Sequence, residues 1–338
     1  MEGRDTDRNR GADRSRSAGA EARAGGTVAD VGEFGLIRDV TGRQQPPAGT
    51  VVGPGDDAAV VPAPDGRVVI STDVLVQGVH FRLDWSGPEQ VGHKAAAVNL
   101  ADIAAMGATP TSLVVGFGCP ADTDAAVATG ISDGLTAEAA RVGAGIVGGD
   151  VVRADQLVVS VTALGDLGGR TPVTRSGARP GHIVAVCGRL GWAAAGLAVL
   201  GRGFRSPVGV VNAQRAPEPP YTAGPAAADA GATAMIDVSD GLLADLGHLA
   251  EESDVGIDIT TDALEVDRKL VDVANALGAD PMRWVLTGGE DHALVATFPS
   301  FVDLPQGWRQ IGTVLMPDTG VTVDGKPYDG EIGWEHWR

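Results

Sequence analysis

Lysine is nearly absent from this 338-residue chain. Only Lys94, Lys269 and Lys326 occur, and 26 basic residues face 44 acidic ones, for a formal net charge of −18. A surface of that sign repels polyanions, which excludes nucleic-acid binding through a basic face. Cysteine is equally scarce. Cys119 and Cys187 lack a CxxC spacing and are too few for a disulfide framework, so no chemistry is assigned to them. No apolar run approaches the roughly 20 residues that cross a bilayer, and the first residues are charged instead of signal-like. A soluble, cytoplasmic protein with no membrane partner is expected. One nucleotide-binding signature is missing as well: there is no GxxxxGK[ST], which excludes a P-loop.

What the chain does contain is 43% apolar and 21% charged residues, a globular composition with length enough for two domains. Residues 1–29 mix Arg, Asp, Gly, Ala and Ser without apolar periodicity and read as a disordered tail. Strands are expected at 67–72, 74–81, 111–118 and 157–165, with helices from Pro88 to Met106 and over 122–143. Gly and Pro cluster at 165–181, which sets a boundary between a domain of residues 30–167 and one of 168–338. Beyond it come strands at 183–187, 234–238, 256–260, 293–298 and 309–315, and helices at 191–200, 241–252 and 266–277. A Pro-rich loop is expected near 216–225, and Asp324–Gly325 supplies a hairpin turn. The fold class is α+β, two mixed α/β domains.

Acids recur at strand ends or beside glycine: GDD (55–57), STD (71–73), AD (101–102), GGD (148–150), DVSDG (237–241) and GGED (288–291). Each alone reads as a solvated turn or a cap; Asp240, for instance, is placed to cap the helix that follows it. Together they point elsewhere. Converging carboxylates repel one another unless cations bind, and an oxygen-rich cluster suits Mg²⁺, which is often shared with substrate phosphates. Asp102 is the clearest case, an acid in the otherwise apolar helix KAAAVNLADIAAMGA with Asn99 one turn earlier. An exposed helix face is the competing reading there. Several Mg²⁺ ions could then stand between carboxylates and a nucleotide, with Arg175 in TRSGA as a rare positive side chain.

Taken in order, GDDAAV, STDVLVQGVHF, KAAAVNLADIAAMGA, GGD, TRSGARPG, IDVSDGLLADLGHLA and LTGGEDHAL resemble the thiamine-monophosphate kinase family of the aminoimidazole-ribonucleotide synthetase superfamily. The resemblance runs from about residue 32 to the C-terminus. It implies an N-terminal domain that binds ATP and Mg²⁺ and whose sheet pairs across a homodimer, a C-terminal α/β domain, and an active-site cleft between them. It further implies ATP-dependent phosphorylation of thiamine monophosphate to thiamine diphosphate with several Mg²⁺ ions. By motif, the implied metal ligands are Asp57, Ser71, Thr72, Asp73, Asp102, Asp150, Asp237 and Asp240, of which Asp57, Asp73, Asp102, Asp150 and Asp240 form the catalytic set. Gly149, Asp150, Arg175 and Ser239 resemble nucleotide contacts, and His80, Glu290 and Trp334 resemble residues that hold the thiamine phosphate. Asp56 stands beside Asp57 and shares its place as a candidate. The chain departs from the family pattern at Ala101, Val151, His292 and Ala293, none of which removes a carboxylate that the resemblance carries over as a site residue. Two alternatives remain at this level: an ATP-dependent synthetase of the same superfamily acting on another small substrate, and a non-catalytic Mg²⁺/nucleotide-binding regulator.

Overall fold

A computed structural model describes residues 26–44, 46–52, 59–317 and 319–334. The first half of the chain runs α1 (Val28–Val31), α2 (Glu33–Thr41), β1 (Val69–Val76), α3 (Pro88–Ala105), β2 (Thr109–Cys119), α4 (Ala125–Ala140), β3 (Gly145–Arg153) and β4 (Val158–Asp166). Its four strands form one sheet in the order β1-β4-β2-β3, with β2 and β3 parallel and the other pairs antiparallel. The second half runs β5 (Ile183–Cys187), α5 (Trp192–Gly201), α6 (Val208–Arg215), α7 (Ala223–Asp229), β6 (Ala234–Asp237), α8 (Leu242–Ser253) and β7 (Gly256–Ile259). It ends with α9 (Arg268–Leu277), α10 (Pro281–Thr287), β8 (Leu294–Phe298), β9 (Arg309–Leu315), β10 (Val321–Val323) and β11 (Lys326–Pro327). These seven strands form a second sheet, ordered β11-β10-β7-β9-β5-β8-β6. The class is α+β, and between β4 and β5 the chain has neither helix nor strand.

Small residues decide how α3 sits. Pro88 opens it, where a missing N–H costs nothing, and its alanines bury nearly every face. Gly92 of α3 and Gly134 of α4 lie where a Cβ would overlap the other helix's backbone, so the two helices touch main chain to main chain. They cover one face of the four-stranded sheet. The core continues from there into the second half, because Ala185, Met235, Ala296 and Phe298 pack in the same apolar cluster as Val91, Leu100 and Ile103. A buried polar knot reinforces that seam. Glu138 of α4, 1% exposed, accepts from Tyr221 Oη at 2.6 Å and from Arg141 Nη1 at 2.9 Å, and lies 2.9 Å from His93 Nδ1. The other ring nitrogen of His93 is 2.8 Å from Pro217 O. Both nitrogens face acceptors, which holds the ring as an imidazolium. Burial opposes that charge, but the bonds to Glu138 and Pro217 outweigh it and raise the His93 pKa.

Several expectations are corrected. The two strands at 67–72 and 74–81 are one, β1, followed by turns. GGD lies within β3 instead of at a turn. The Pro-rich segment becomes α7 from Ala223, and α6 and α10 were not foreseen. The tail expected over 1–29 lies outside the described residues up to position 25, and Thr27 already caps α1. The hairpin turn is as expected, with Asp324 and Gly325 at φ 51° and 72° between β10 and β11.

Candidate active site

Alternate residues of a strand share a face, so β1 turns Ser71 and Asp73 toward α3. Asn99 and Asp102, one helical turn apart, meet them. The fully buried Asn99 accepts from the Asp73 amide through Oδ1 at 2.9 Å and donates to Ala95 O at 2.9 Å. Ser71 Oγ donates to Asp102 Oδ2 at 2.6 Å. Asp102 is thus not on a solvated helix face; it points at β1. From the second half, buried Asp237 arrives at the end of β6 with its Oδ2 2.9 Å from His292 Nδ1. The 288–292 loop crosses the 238–240 segment closely: Glu290 N donates to Ser239 O at 2.8 Å and His292 N to Val238 O at 2.9 Å. Only glycine fits at 289, since a Cβ there would overlap Ser239 O. Glu290 and His292 both adopt left-handed backbone, φ 67° and 50°, at a cost on the order of 1–3 kcal/mol each. That bend brings Glu290 Oε1 to 2.6 Å from Lys94 Nζ on α3.

The acids of the two halves sense one another. Burial raises the Asp73 pKa, and the Asp237 charge adds to it against the opposing influence of His292 and His80. Asp102 is pushed up to about 7 by burial, with Asp237 and Asp73 adding. His292 moves up too; burial opposes its charge, but the bond to Asp237 and the negative charges of Asp237, Glu290 and Asp102 prevail. Carboxylates crowded in this way, offering only hard oxygen donors, fit a divalent cation such as Mg²⁺. Among the described residues no three His, Cys, Asp or Glu side chains close on a single point as a preformed cage. A cation held here would therefore draw part of its shell from water or ligand oxygens.

The remaining candidates divide. Ser239 and Asp240 sit beside this cluster, and Trp334, 61% exposed, donates its main-chain N–H to Asp240 O at 3.0 Å. His80 follows β1; its Nδ1 accepts from Val76 N at 3.0 Å and its carbonyl from Lys94 Nζ at 3.1 Å. Thr72 faces away. Its hydroxyl donates to Val161 O at 3.0 Å on the opposite sheet face, which leaves only its main chain for the acid side. Gly149 and Asp150 are on β3 at the far edge of the sheet, three strand spacings or roughly 14 Å from β1. There they line an apolar cleft of about 990 Å³ with Leu36, Val40, Ile131 and Leu135. Arg175 is exposed, and its carbonyl accepts from Ser253 at the end of α8, a 12-residue helix, so it lies about 18 Å from the Asp240 end. Asp150 and Arg175 are not brought to the acidic cluster within one chain. Asp56 and Asp57 lie outside the described residues.

Three residues at or near the site, Asp245, Lys94 and Gln214, escaped sequence reasoning, and one acid of the GGED motif, Asp291, is placed elsewhere. No side chain caps α8, whose N-cap is Gly241; Asp245 in its first turn reaches back instead, accepting from the Asp240 and Gly241 amides at 3.1 and 3.0 Å, and burial pushes it up to about 7. An acid in the first turn after a glycine was the signal for it. Asp291 of GGED holds the start of α5 instead of joining the cluster, its Oδ1 accepting from Ala193 N at 2.8 Å. Lys94 and Gln214, which both bind Glu290, gave no signal in the sequence.

Comparison with known proteins shows what this chain resembles. Residues 55–167 match the family described as AIR synthase related protein, N-terminal domain. The thiamine-monophosphate kinase of Mycobacterium tuberculosis is 57% identical over 311 residues, covering 91% of this chain and 92% of that protein. The enzyme of the same description from Corynebacterium glutamicum is 42% identical, covering 92% and 95%. Among solved structures, AaThiL complexed with AMPPCP and TMP superposes with a TM-score of 0.74 at 30% identity, covering 93% of this chain and 100% of that one.

Proposed function

The chain belongs to the thiamine-monophosphate kinase family, and from that premise we propose that it transfers the γ-phosphoryl group of ATP in line, with several Mg²⁺ ions, to the phosphate of thiamine monophosphate. The product is thiamine diphosphate, and the step is the last of its biosynthesis. One observation carries the reading: acids from the two halves of the chain, Asp73 of β1 and Asp102 of α3 on one side and Asp237 of β6 on the other, meet where neither half alone could build a site. The cleft between residues 30–167 and 168–338 is the active site.

The acceptor is a phosphate monoester with a second pKa of about 6, so near neutral pH it is already a competent oxyanion. No protein base is required, in accord with a cluster of acids whose one buried imidazole, His292, is tied to Asp237. Bound Mg²⁺ supplies neutralisation of two mutually repelling phosphoryl groups. Asp73, Asp102, Asp237 and Asp240 hold the ions, with Ser71 and the Thr72 main chain beside them, while Ser239 lies against the nucleotide. His80, Glu290 and Trp334 hold the acceptor. The protein's contribution is alignment and electrostatics.

Homodimer formation completes the site. Among the described residues Ile70, Val74, Val114 and Val152 form an uncovered apolar sheet face, Ile70 being 66% exposed, and such a face calls for a partner. Pairing with a second copy lets the partner subunit's Gly149, Asp150 and Arg175 approach the acids, which their own chain keeps away. Incubating the protein with labelled ATP, Mg²⁺ and thiamine monophosphate tests the reading. Label should pass into thiamine diphosphate with none trapped on protein; no thiamine diphosphate would refute the function, and a phosphoprotein competent for transfer would refute direct displacement.

A further inference from the structure

Lys94 is one of the largest buried side chains among the described residues, and it stands behind Glu290. Its ammonium donates in two directions: to the Glu290 carboxylate of the second half at 2.6 Å and to the His80 carbonyl of the first at 3.1 Å. Lys94 is 2% exposed, whereas Glu290 remains 33% exposed toward the cleft. The second Glu290 oxygen accepts from Gln214 Nε2 of α6 at 3.1 Å. Both carboxylate oxygens are therefore fixed from behind, and the surface left to the cleft is the face a ligand would meet. Burial alone would raise the Glu290 pKa, but the Lys94 charge and hydrogen bond, with Gln214, bring it below the usual value.

The position of Lys94 is itself overdetermined. It lies on α3 next to His93, whose ring grips Glu138 and Pro217, and the Pro217 segment continues from α6 and Gln214. One stretch of α3 thus holds Glu290 directly through Lys94 and anchors, through His93, the segment whose Gln214 holds the other oxygen. A buried ammonium is costly unless paired, and here its pairs are the two elements that flank the acceptor pocket.

We infer that Lys94 is a positioning residue for the acceptor: its ammonium ties Glu290 of one half to the His80 loop of the other and so fixes the cleft in which the phosphate monoester is bound. The inference rests on the function proposed above. It does not place Lys94 in contact with substrate.

A double-mutant cycle of Lys94→Met and Glu290→Gln, read by steady-state kinetics and by binding of thiamine monophosphate without ATP, tests it. Lys94→Met should raise KM for thiamine monophosphate at least tenfold and weaken its binding in parallel, with KM for ATP changed less than twofold. If Lys94→Met alone is too unstable to assay, Lys94→Met/Glu290→Gln removes the unpaired buried charge and is compared with Glu290→Gln. Because Lys94 acts through Glu290, those two variants should show the same KM for thiamine monophosphate within about twofold. A fall in melting temperature with KM unchanged, or additive effects of the two substitutions on KM, would overturn the inference. A wild-type protein that neither binds nor phosphorylates thiamine monophosphate would instead overturn the proposed function.

Discussion

Replacing Glu138 by glutamine tests whether the two halves are held together as described. The side chain is 1% exposed and its two oxygens serve His93, Tyr221 and Arg141 at 2.6–3.1 Å. Arg141 is 48% exposed and can turn to water, so its share is small. The loss falls on His93 and Tyr221, which keep buried donors facing an amide that offers one acceptor instead of two. Removing one member of a buried charged pair costs about 3 kcal/mol at the lower end of the usual range, or roughly 4 °C of melting temperature for a cooperative unit of 338 residues. The cost should vary with pH. His93 has a folded pKa raised above 6.5, so its contribution is fully present below 6.5 and is lost as pH rises through the folded value. Glu138 is lowered from 4.5, burial being outweighed by its donors, so its contribution is present above 4.5 and is lost as pH falls through the folded value. Thermal melts of wild type and Glu138→Gln should differ most near pH 6 and progressively less toward pH 9. A gap under 2 °C at pH 6, or one independent of pH, would refute this account of the seam.

Two further outcomes follow from the site and the open sheet face. Asp102→Asn should lower kcat by about 10²–10³, in line with loss of one preorganised electrostatic group, while the melting temperature without divalent ions stays level or rises because a buried, repelled carboxylate is gone; a loss confined to melting would mean that Asp102 is structural. Ile70→Asp on the uncovered face of β1 should convert a dimer to monomers in sedimentation and abolish turnover, whereas an active monomer would contradict the composite site.

Much of this architecture was legible because local signals and burial agree. Pro88 and the alanines that follow announce α3, and alternating residues mark β1, although sequence split it in two at Asp73, where a polar residue interrupts the strand pattern only because it faces α3. The GGD motif misled for a physical reason. Glycine pairs usually mark turns, but Gly149 lies in β3 because the Val115 carbonyl passes where its Cβ would be. Ordered motifs pointed to Asp73, Asp102 and Asp237 before any coordinate, since acids beside glycines and in apolar helices are costly without a task. Lys94 was invisible. Whether a lysine on an alanine-rich helix points to water or inward depends on a glutamate 196 positions later, and no local pattern encodes that. Asp245 was overshadowed by Asp240, though its place in the first turn of α8 lets its carboxylate reach back to the Asp240 and Gly241 amides.

The central claim is that aspartates from both halves of the chain share divalent ions. Titrating Mn²⁺ by calorimetry into the protein with a non-hydrolysable ATP analogue and thiamine monophosphate tests it most directly, using wild type, Asp73→Asn and Asp237→Asn. More than one ion should bind to wild type, and each substitution, though on opposite halves, should weaken binding of a common ion at least tenfold. Unchanged stoichiometry and affinity in both variants would contradict the account.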